Sequence, residues 1–140
     1  MSDHWEKRWK QRFENFAKAI LLLREALDDR PVDDYSRLEQ EGIIQRFEYT
    51  FELAWKTVKD RLRYEGFDEK TPRAVIRRAF AAGFITEAEA ETWLDALDKR
   101  NRLSHTYDEN TALAALHAIQ ESYYPLLEKI YRHLRTEAAG

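Results

Sequence analysis

The chain has 140 residues, a formal net charge of −3, no cysteine, four glycines and three prolines. About half of the residues are Ala, Glu, Lys, Leu or Arg, a composition typical of long helices. Residues with high β propensity are few, which argues against a β-sandwich or a dinucleotide-binding sheet. The missing cysteines exclude disulfide scaffolds and cysteine zinc sites, and the acidic balance argues against coating of duplex DNA.

The length predicts one domain, residues 1–140. The longest apolar run, Ala19 to Leu23, is far shorter than the ~20 residues that span a bilayer. The first ten residues are charged and lack the apolar core of a secretion signal. We therefore expect no membrane partner and a cytoplasmic location.

The first half of the chain predicts two long helices, because its apolar residues recur at helical spacing. The first helix runs from about residue 4 to 28 and ends before Pro31. The second begins near Asp34 or Ser36, since Ser36 and Glu39 have the spacing of a capping box, and it ends at Gly66. The two apolar stripes are Trp9, Phe13, Phe16, Ile20, Leu23 and Leu27, and Phe47, Phe51, Trp55, Val58 and Leu62.

The second half predicts one short and two long helices. Thr71 followed by Pro72 opens the short helix, and Gly83 closes it. Thr86 and Glu89 open a fourth helix by a second capping-box spacing. The residues expected to point inward on it are Ala90, Leu94 and Leu97.

A fifth helix carries the last apolar stripe, and Pro125 within it predicts a kink. The stripe consists of Leu116, Ile119, Tyr123, Leu127, Ile130 and Leu134. Long helices joined by short turns pack as antiparallel neighbours. The predicted fold class is therefore all-α: an up-and-down four-helix bundle with an additional short helix.

Motifs of the common enzyme classes are missing from the sequence. Four scattered glycines form neither a phosphate loop nor a dinucleotide fingerprint, and no Gly-x-Ser-x-Gly elbow occurs. Glu-x-x-His precedes none of the four histidines, which argues against a di-metal bundle. The sequence thus predicts no metal and no cofactor, and the chain does not resemble a nucleotidyltransferase itself.

One polar stretch, residues 100–108, is dense in reactive side chains. Arg100 offers a cationic fork for phosphate, His105 exchanges a proton near neutral pH, and Tyr107 offers a phenol. Arg100 and His105 are five residues apart, about 140° around a regular helix. They meet only if the helix ends near Leu103 and turns back, or if a second copy of the chain supplies the missing group.

This stretch resembles the Arg-x4-His motif of HEPN domains, and Tyr107 extends it to the form found in HepT-like proteins. The segment 46–56, Arg-Phe-Glu-Tyr-Thr-Phe-Glu-Leu-Ala-Trp-Lys, is similar to the second-helix signature of the HEPN branch called nucleotidyltransferase substrate-binding proteins. The resemblance runs from about residue 10 to 135. It implies a HEPN-like bundle that forms a homodimer.

The resemblance also implies a partner, because members of this branch are usually paired with a separate, minimal nucleotidyltransferase. The helical chain then occupies the substrate-binding position, often in a toxin–antitoxin-like pair. Its ligand would be RNA or a small substrate that accepts a nucleotide. This is the leading interpretation of the sequence.

HepT-like relatives imply a second interpretation, a metal-independent ribonuclease toxin. Arg100 and His105 would be its catalytic pair, with His105 moving a proton and Arg100 stabilising phosphate charge. Transfer of AMP to Tyr107 would add bulk and negative charge and so silence it. The supporting residues around the substrate would be Asn101, Ser104, Thr106 and Asp108.

The second-helix signature also leaves alternatives open. Glu52 and Lys56 have the i,i+4 spacing of a solvated ion pair, worth only tenths of a kcal/mol. Alternatively Glu48, Glu52 and Lys56 face a dimer axis or the nucleotidyltransferase. A plain interaction bundle, in which the Arg100 stretch is only a helix end, is the third hypothesis.

Overall fold

The computed structural model describes residues 2–27, 30–103 and 109–140. Its helices are α1 Ser2–Leu27, α2 Arg37–Tyr64, α3 Pro72–Ala81, α4 Glu87–Leu103, α5 Glu109–Ala118 and α6 Tyr124–Ala139. A 3₁₀ turn, Val32–Asp34, precedes α2, and a π-helical turn, Ile119–Tyr123, joins α5 to α6. No strand occurs within these residues, so the predicted all-α bundle is confirmed.

Contacts between the first two helices show that they are antiparallel. Thr50 on α2 donates to the Ala19 carbonyl on α1 at 3.4 Å, and Arg46 donates to the Leu22 carbonyl at 2.9 Å. Residue numbers thus fall along α1 as they rise along α2. This is the geometry expected for long helices joined by a short connection.

The last helix runs parallel to α2, and α4 runs against both. Phe47 stacks on Tyr123 near the start of α2 and α6, whereas Arg61 pairs with Glu137 at 3.5 Å near their ends. Tyr123 in turn donates to Asp95, at the middle of α4. Phe84, just before α4, contacts His133, far along α6. The long helices α1, α2, α4 and α6 therefore run up, down, up and down, as predicted.

The predicted apolar stripes form the core. Trp9, Phe16, Phe47 and Phe51 are almost fully buried, so these aromatic side chains pack the bundle. All three inward positions predicted on α4 contact the core, because Ala90 and Leu97 are buried and the half-buried Leu94 packs against the buried residues. Trp93, which the predicted stripe did not include, is fully buried as well.

Local capping fixes the helix starts where the sequence predicts them. Ser36 and Glu39 exchange both hydrogen bonds of a capping box, at 2.8 and 3.2 Å, and Thr86 with Glu89 does the same. Gly66 follows α2 with φ +101°, a backbone conformation that favours glycine. These local contacts fix where α2 and α4 begin and where α2 ends.

Pro125 interrupts the regular last helix, and a π-helical turn, Ile119–Tyr123, lies just before it. Tyr124 donates its backbone N–H to the Ile119 carbonyl, five residues back. Proline lacks an N–H for the carbonyl four residues before it and crowds that carbonyl. The wider turn just before Pro125 relieves both problems and lets α6 continue.

None of the helices in the described part of the chain is long and apolar enough to cross a membrane.

The core stripe makes a direct stability prediction. Phe47 is fully buried and stacks on Tyr123, with ring centroids 5.8 Å apart. Replacing Phe47 by Ala removes this packing and leaves a cavity, so urea denaturation should show a loss of about 3–5 kcal/mol. Tyr49, two residues away and 60% exposed, is the matched control, and Tyr49→Ala should change stability by about 0.5 kcal/mol or less. Similar losses in the two variants would contradict the assigned core.

Candidate functional site

The Arg100 side chain joins the two sequence motifs. It lies near the C-terminal end of α4 with 20% of its side chain exposed, and its guanidinium forms an ion pair with the Glu52 carboxylate of α2. The guanidinium carbon also lies 5.1 Å from the centre of the Phe51 ring, within the range of a cation–π contact. Arg100 and the second-helix signature therefore belong to one site.

Glu52 is the centre of this arrangement. Its other carboxylate oxygen accepts a hydrogen bond of 3.0 Å from the Trp55 indole nitrogen and lies 3.7 Å from the Lys56 ammonium. Residues three and four positions apart share a helix face, so Trp55 and Lys56 both reach back to Glu52. The carboxylate is held from its own helix by two donors and from α4 by Arg100.

Burial and charge act against each other at this site. Burial raises the pKa of Glu48, and the positive charge of Arg100 partly opposes that rise. Burial likewise lowers the pKa of Arg100, and Glu48 opposes that shift. Each charge is thus removed from water and compensated by an opposite charge on the neighbouring helix.

This geometry sets the chemistry available to Arg100. Its charge is already compensated inside the chain by Glu52 and, at longer range, by Glu48. A phosphate that binds Arg100 would therefore compete with the Glu52 carboxylate for the guanidinium. Among the described residues no group of three or more His, Asp or Glu converges as a metal site would require.

Several predicted site residues lie outside the described residues. These are Ser104, His105, Thr106, Tyr107 and Asp108, and the side chain of Asn101 is likewise outside the description. The meeting of Arg100 and His105 therefore stays a prediction. The alternatives for how they meet, by a turn after Leu103 or by a second copy, stay open with it.

The three residues predicted at an interface form the polar rim around Arg100. Glu48 and Glu52 face it from α2, and Lys56 extends the row by one turn. Sequence reasoning missed Phe51 as the platform beneath the guanidinium and gave Trp55 a core role only. Trp55 is indeed buried, but its indole nitrogen also holds Glu52. The spacing of Trp55 from Glu52, three residues, was the signal for this second role.

The Glu52–Arg100 pair makes a prediction about coupling. In a double-mutant cycle with Glu52→Gln and Arg100→Gln, urea denaturation should give an interaction energy of about 1.5 kcal/mol, because the pair is charge-assisted and partly buried. The control is the exposed pair Arg37–Glu41 on α2, 3.4 Å apart, which should give about 0.5 kcal/mol or less. Equal coupling in the two cycles would show that Arg100 is not held as described.

Glu48 makes a prediction about pH. Its pKa is raised in the folded chain, so the protonated form favours folding and ionisation opposes it. The measured quantity is the free energy of unfolding of the unaltered protein minus that of Glu48→Gln. This difference should be largest below the ordinary pKa of glutamate, about 4.3. That advantage should disappear as the pH rises through the raised pKa. Arg100→Gln should enlarge the loss, and a difference that grows with pH would contradict the assignment.

Three comparisons relate this chain to known proteins. A family model described as "Nucleotidyltransferase substrate binding protein like" matches residues 11–136. "Probable ribonuclease HepT" of Haemophilus influenzae is 32% identical over 85 residues, 57% of this chain and 57% of that protein, so the chain spans little more than half the length of this curated relative. A crystal structure of a Thermus thermophilus protein has a TM-score of 0.77 and 36% identity, over 86% of this chain and 98% of the other.

The family match includes both motifs and most of the bundle between them. The relative named HepT agrees with the HEPN resemblance of the Arg100 motif, and the Thermus protein shares the fold over almost its whole length. The chain belongs to the nucleotidyltransferase substrate-binding-like family, in the HepT-like branch of the HEPN proteins.

Proposed function

We propose that the chain is the helical substrate-binding partner of a separate, minimal nucleotidyltransferase, in a toxin–antitoxin-like pair. The observation that carries this proposal is the family match over residues 11–136, which includes the second-helix signature as well as the Arg100 motif. A match to the arginine–histidine motif alone would point to HEPN proteins in general. The signature on α2 ties the proposal to the branch named for nucleotidyltransferase substrates.

The geometry supports a role in recognition. Side chains of opposite charge, Glu48, Glu52, Lys56 and Arg100, meet where the Arg100 side chain, near the end of α4, reaches α2. Glu52 and Lys56 remain 37% and 42% exposed, so a partner or a substrate has access to them. A mixed rim of this kind offers both signs of charge to a polar ligand, which favours orientation and specificity over raw affinity.

In this proposal the residues that follow Arg100 lie at the site where the nucleotidyltransferase acts. Asn101, Ser104, Thr106 and Asp108 line the substrate, whereas Tyr107 accepts AMP in the ribonuclease alternative below. The proposed assembly is a homodimer in the cytoplasm, with each protomer presenting its own Arg100 rim. The ligand is RNA or a small nucleotide-accepting molecule.

A second candidate function is supported by the relative named as a ribonuclease, 32% identical over 85 residues. Here His105 removes the proton of an RNA 2′-hydroxyl and Arg100 stabilises the charge on the attacked phosphate. The oxygen of the 2′-hydroxyl forms the new bond to phosphorus as the bond from phosphorus to the 5′-oxygen breaks. Protonated His105 then returns its proton to the leaving 5′-oxygen. Arg100 would have to exchange Glu52 for the phosphate during this step.

The partner proposal is tested by co-expression with the product of the neighbouring gene, which the proposal expects to be a minimal nucleotidyltransferase. We expect the two proteins to co-purify. Intact-mass measurement that shows addition of AMP, lost in Tyr107→Phe, would support the ribonuclease alternative, in which this modification silences the chain. Lys56→Glu should weaken the complex because it reverses one charge of the rim, whereas Lys10→Glu, a surface change on α1, should not. The proposal would be contradicted if light scattering of the mixture gave the mass of the homodimer alone, with none of the neighbouring protein bound.

The ribonuclease alternative has a separate test. It requires cleavage of RNA in the presence of EDTA, with loss of about 10²-fold or more in His105→Ala, the size of a general acid–base contribution. His133→Ala is the matched control, because His133 lies on α6 beside Phe84, far from the Arg100 rim. Cleavage that survives in His105→Ala would remove this alternative.

A further inference from the structure

A second charged site lies away from Arg100, where the start of α1 meets the end of α2. A cleft of about 160 Å³ is lined there by Trp5 of α1, by Lys59 and Arg63 of α2, and by Asp68 and Lys70 of the loop before α3. We call it the Trp5 cleft. None of these residues belongs to the Arg100 motif or to the second-helix signature.

Three cations in the Trp5 cleft converge on one exposed carboxylate. Lys70 lies 3.1 Å from both oxygens of Asp68, and Arg63 lies 3.8 Å from one of them. Lys59 adds to the same positive field, and together they hold the pKa of Asp68 below its ordinary value. The carboxylate therefore marks a position where the fold concentrates positive charge around one anion.

The other two carboxylates that line the cleft are compensated by cations from elsewhere. Asp60 is buried and pairs with Arg12 at 3.0 Å and with Arg8 at 3.7 Å. Glu69 receives a hydrogen bond of 2.9 Å from Arg78 of α3. Of the three carboxylates that line the cleft in the described chain, Asp68 is therefore the one that faces Lys59, Arg63 and Lys70. The cleft is therefore positive in a chain whose net charge is −3.

Trp5 adds an aromatic surface to these cations. The guanidinium carbon of Arg63 lies 5.0 Å from the centre of the indole ring, and the ring itself is half-buried at the edge of the cleft. An aromatic ring flanked by cations is the combination on which single-stranded nucleic acids stack a base while their phosphates are neutralised.

The cations also form a row. Lys56, Lys59 and Arg63 are three and four residues apart on α2, so they share one helix face with Glu52. Their spacing places a positive charge at about each helical turn, 5.4 Å, between the Arg100 rim and Trp5. A flexible, repeating anion fits such a row better than a single compact anion does.

We propose that the Trp5 cleft binds single-stranded nucleic acid, with a backbone phosphate in the place of Asp68 and a base stacked on Trp5. Exposed ion pairs are weak, so exchange of the Asp68 carboxylate for a phosphate costs little and adds charge to a site with an excess of cations. The strand then follows Lys59 and Lys56 along α2 toward Arg100. This surface goes beyond the proposed function, since it acts without the nucleotidyltransferase.

The test is fluorescence anisotropy of the purified protein with an oligouridylate of about 12 nucleotides. Arg63→Ala and Lys59→Ala should each weaken binding and should each reduce the slope of log K against log salt by about 0.7. Trp5→Ala should weaken binding about tenfold, and Trp5→Phe should restore most of it. Asp68→Asn should tighten binding by about threefold, because the competing carboxylate is gone.

Arg37→Ala is the control, because it removes one exposed arginine at the opposite end of α2, about 39 Å away along the helix axis. Thermal denaturation of each variant shows whether it is folded. The proposal is overturned if Arg63→Ala and Arg37→Ala weaken binding equally, or if Asp68→Asn weakens it. Tighter binding to duplex RNA, to anionic lipid vesicles or to polyglutamate than to the oligouridylate would overturn it too. These outcomes are independent of co-purification with the nucleotidyltransferase.

Discussion

The ion pair between Arg100 and Glu52 is the contact on which the account of this site depends. It joins α4 to α2 across 48 positions of the sequence and brings the two family motifs into one place. Phe51 lies against the guanidinium, and Trp55 holds the carboxylate from its own helix. The buried aromatic stripe of α2 therefore has two roles. It packs the bundle, and its polar neighbours face α4 at the boundary of the core.

This arrangement explains why an arginine in a reactive motif is stable in the resting chain. An arginine whose side chain is only 20% exposed needs its charge compensated, and Glu52 and Glu48 supply that compensation from one helix. The same ion pairing opposes the binding of any phosphate to Arg100, because the phosphate has to replace the Glu52 carboxylate. The Trp5 cleft is a similar arrangement on the surface. There the Asp68 carboxylate pairs with Lys70 and Arg63, which the proposal assigns to a phosphate. In both sites one of the chain's own carboxylates pairs with the cations that the proposals assign to a phosphate.

Much of the fold could be predicted from the sequence because its determinants are local. The caps Ser36–Glu39 and Thr86–Glu89 act over three residues, and Gly66 stops α2 by its own backbone conformation. The full burial of Trp93 on α4 was not predicted, since it depends on which neighbouring helices cover that position and not on local spacing.

The candidate site was harder to predict. The pairing of Glu52 with Lys56 is local and was one of the two alternatives that the sequence left open. The pairing of Glu52 with Arg100 joins two helices far apart in the sequence, and no short spacing encodes it. The roles of His105 and Tyr107 rest on resemblance, because those residues lie outside the part of the chain that the structure describes.

The most direct test of the central contact is an NMR measurement on the Arg100 guanidinium in the intact protein. A guanidinium held by Glu52 against Phe51 should give a resolved Nε–Hε signal that is shifted by the ring and protected from exchange with water. That signal should move to the position of an ordinary surface arginine in Glu52→Gln. An Arg100 signal that is already averaged and unshifted in the unaltered protein, and indifferent to Glu52→Gln, would contradict the account.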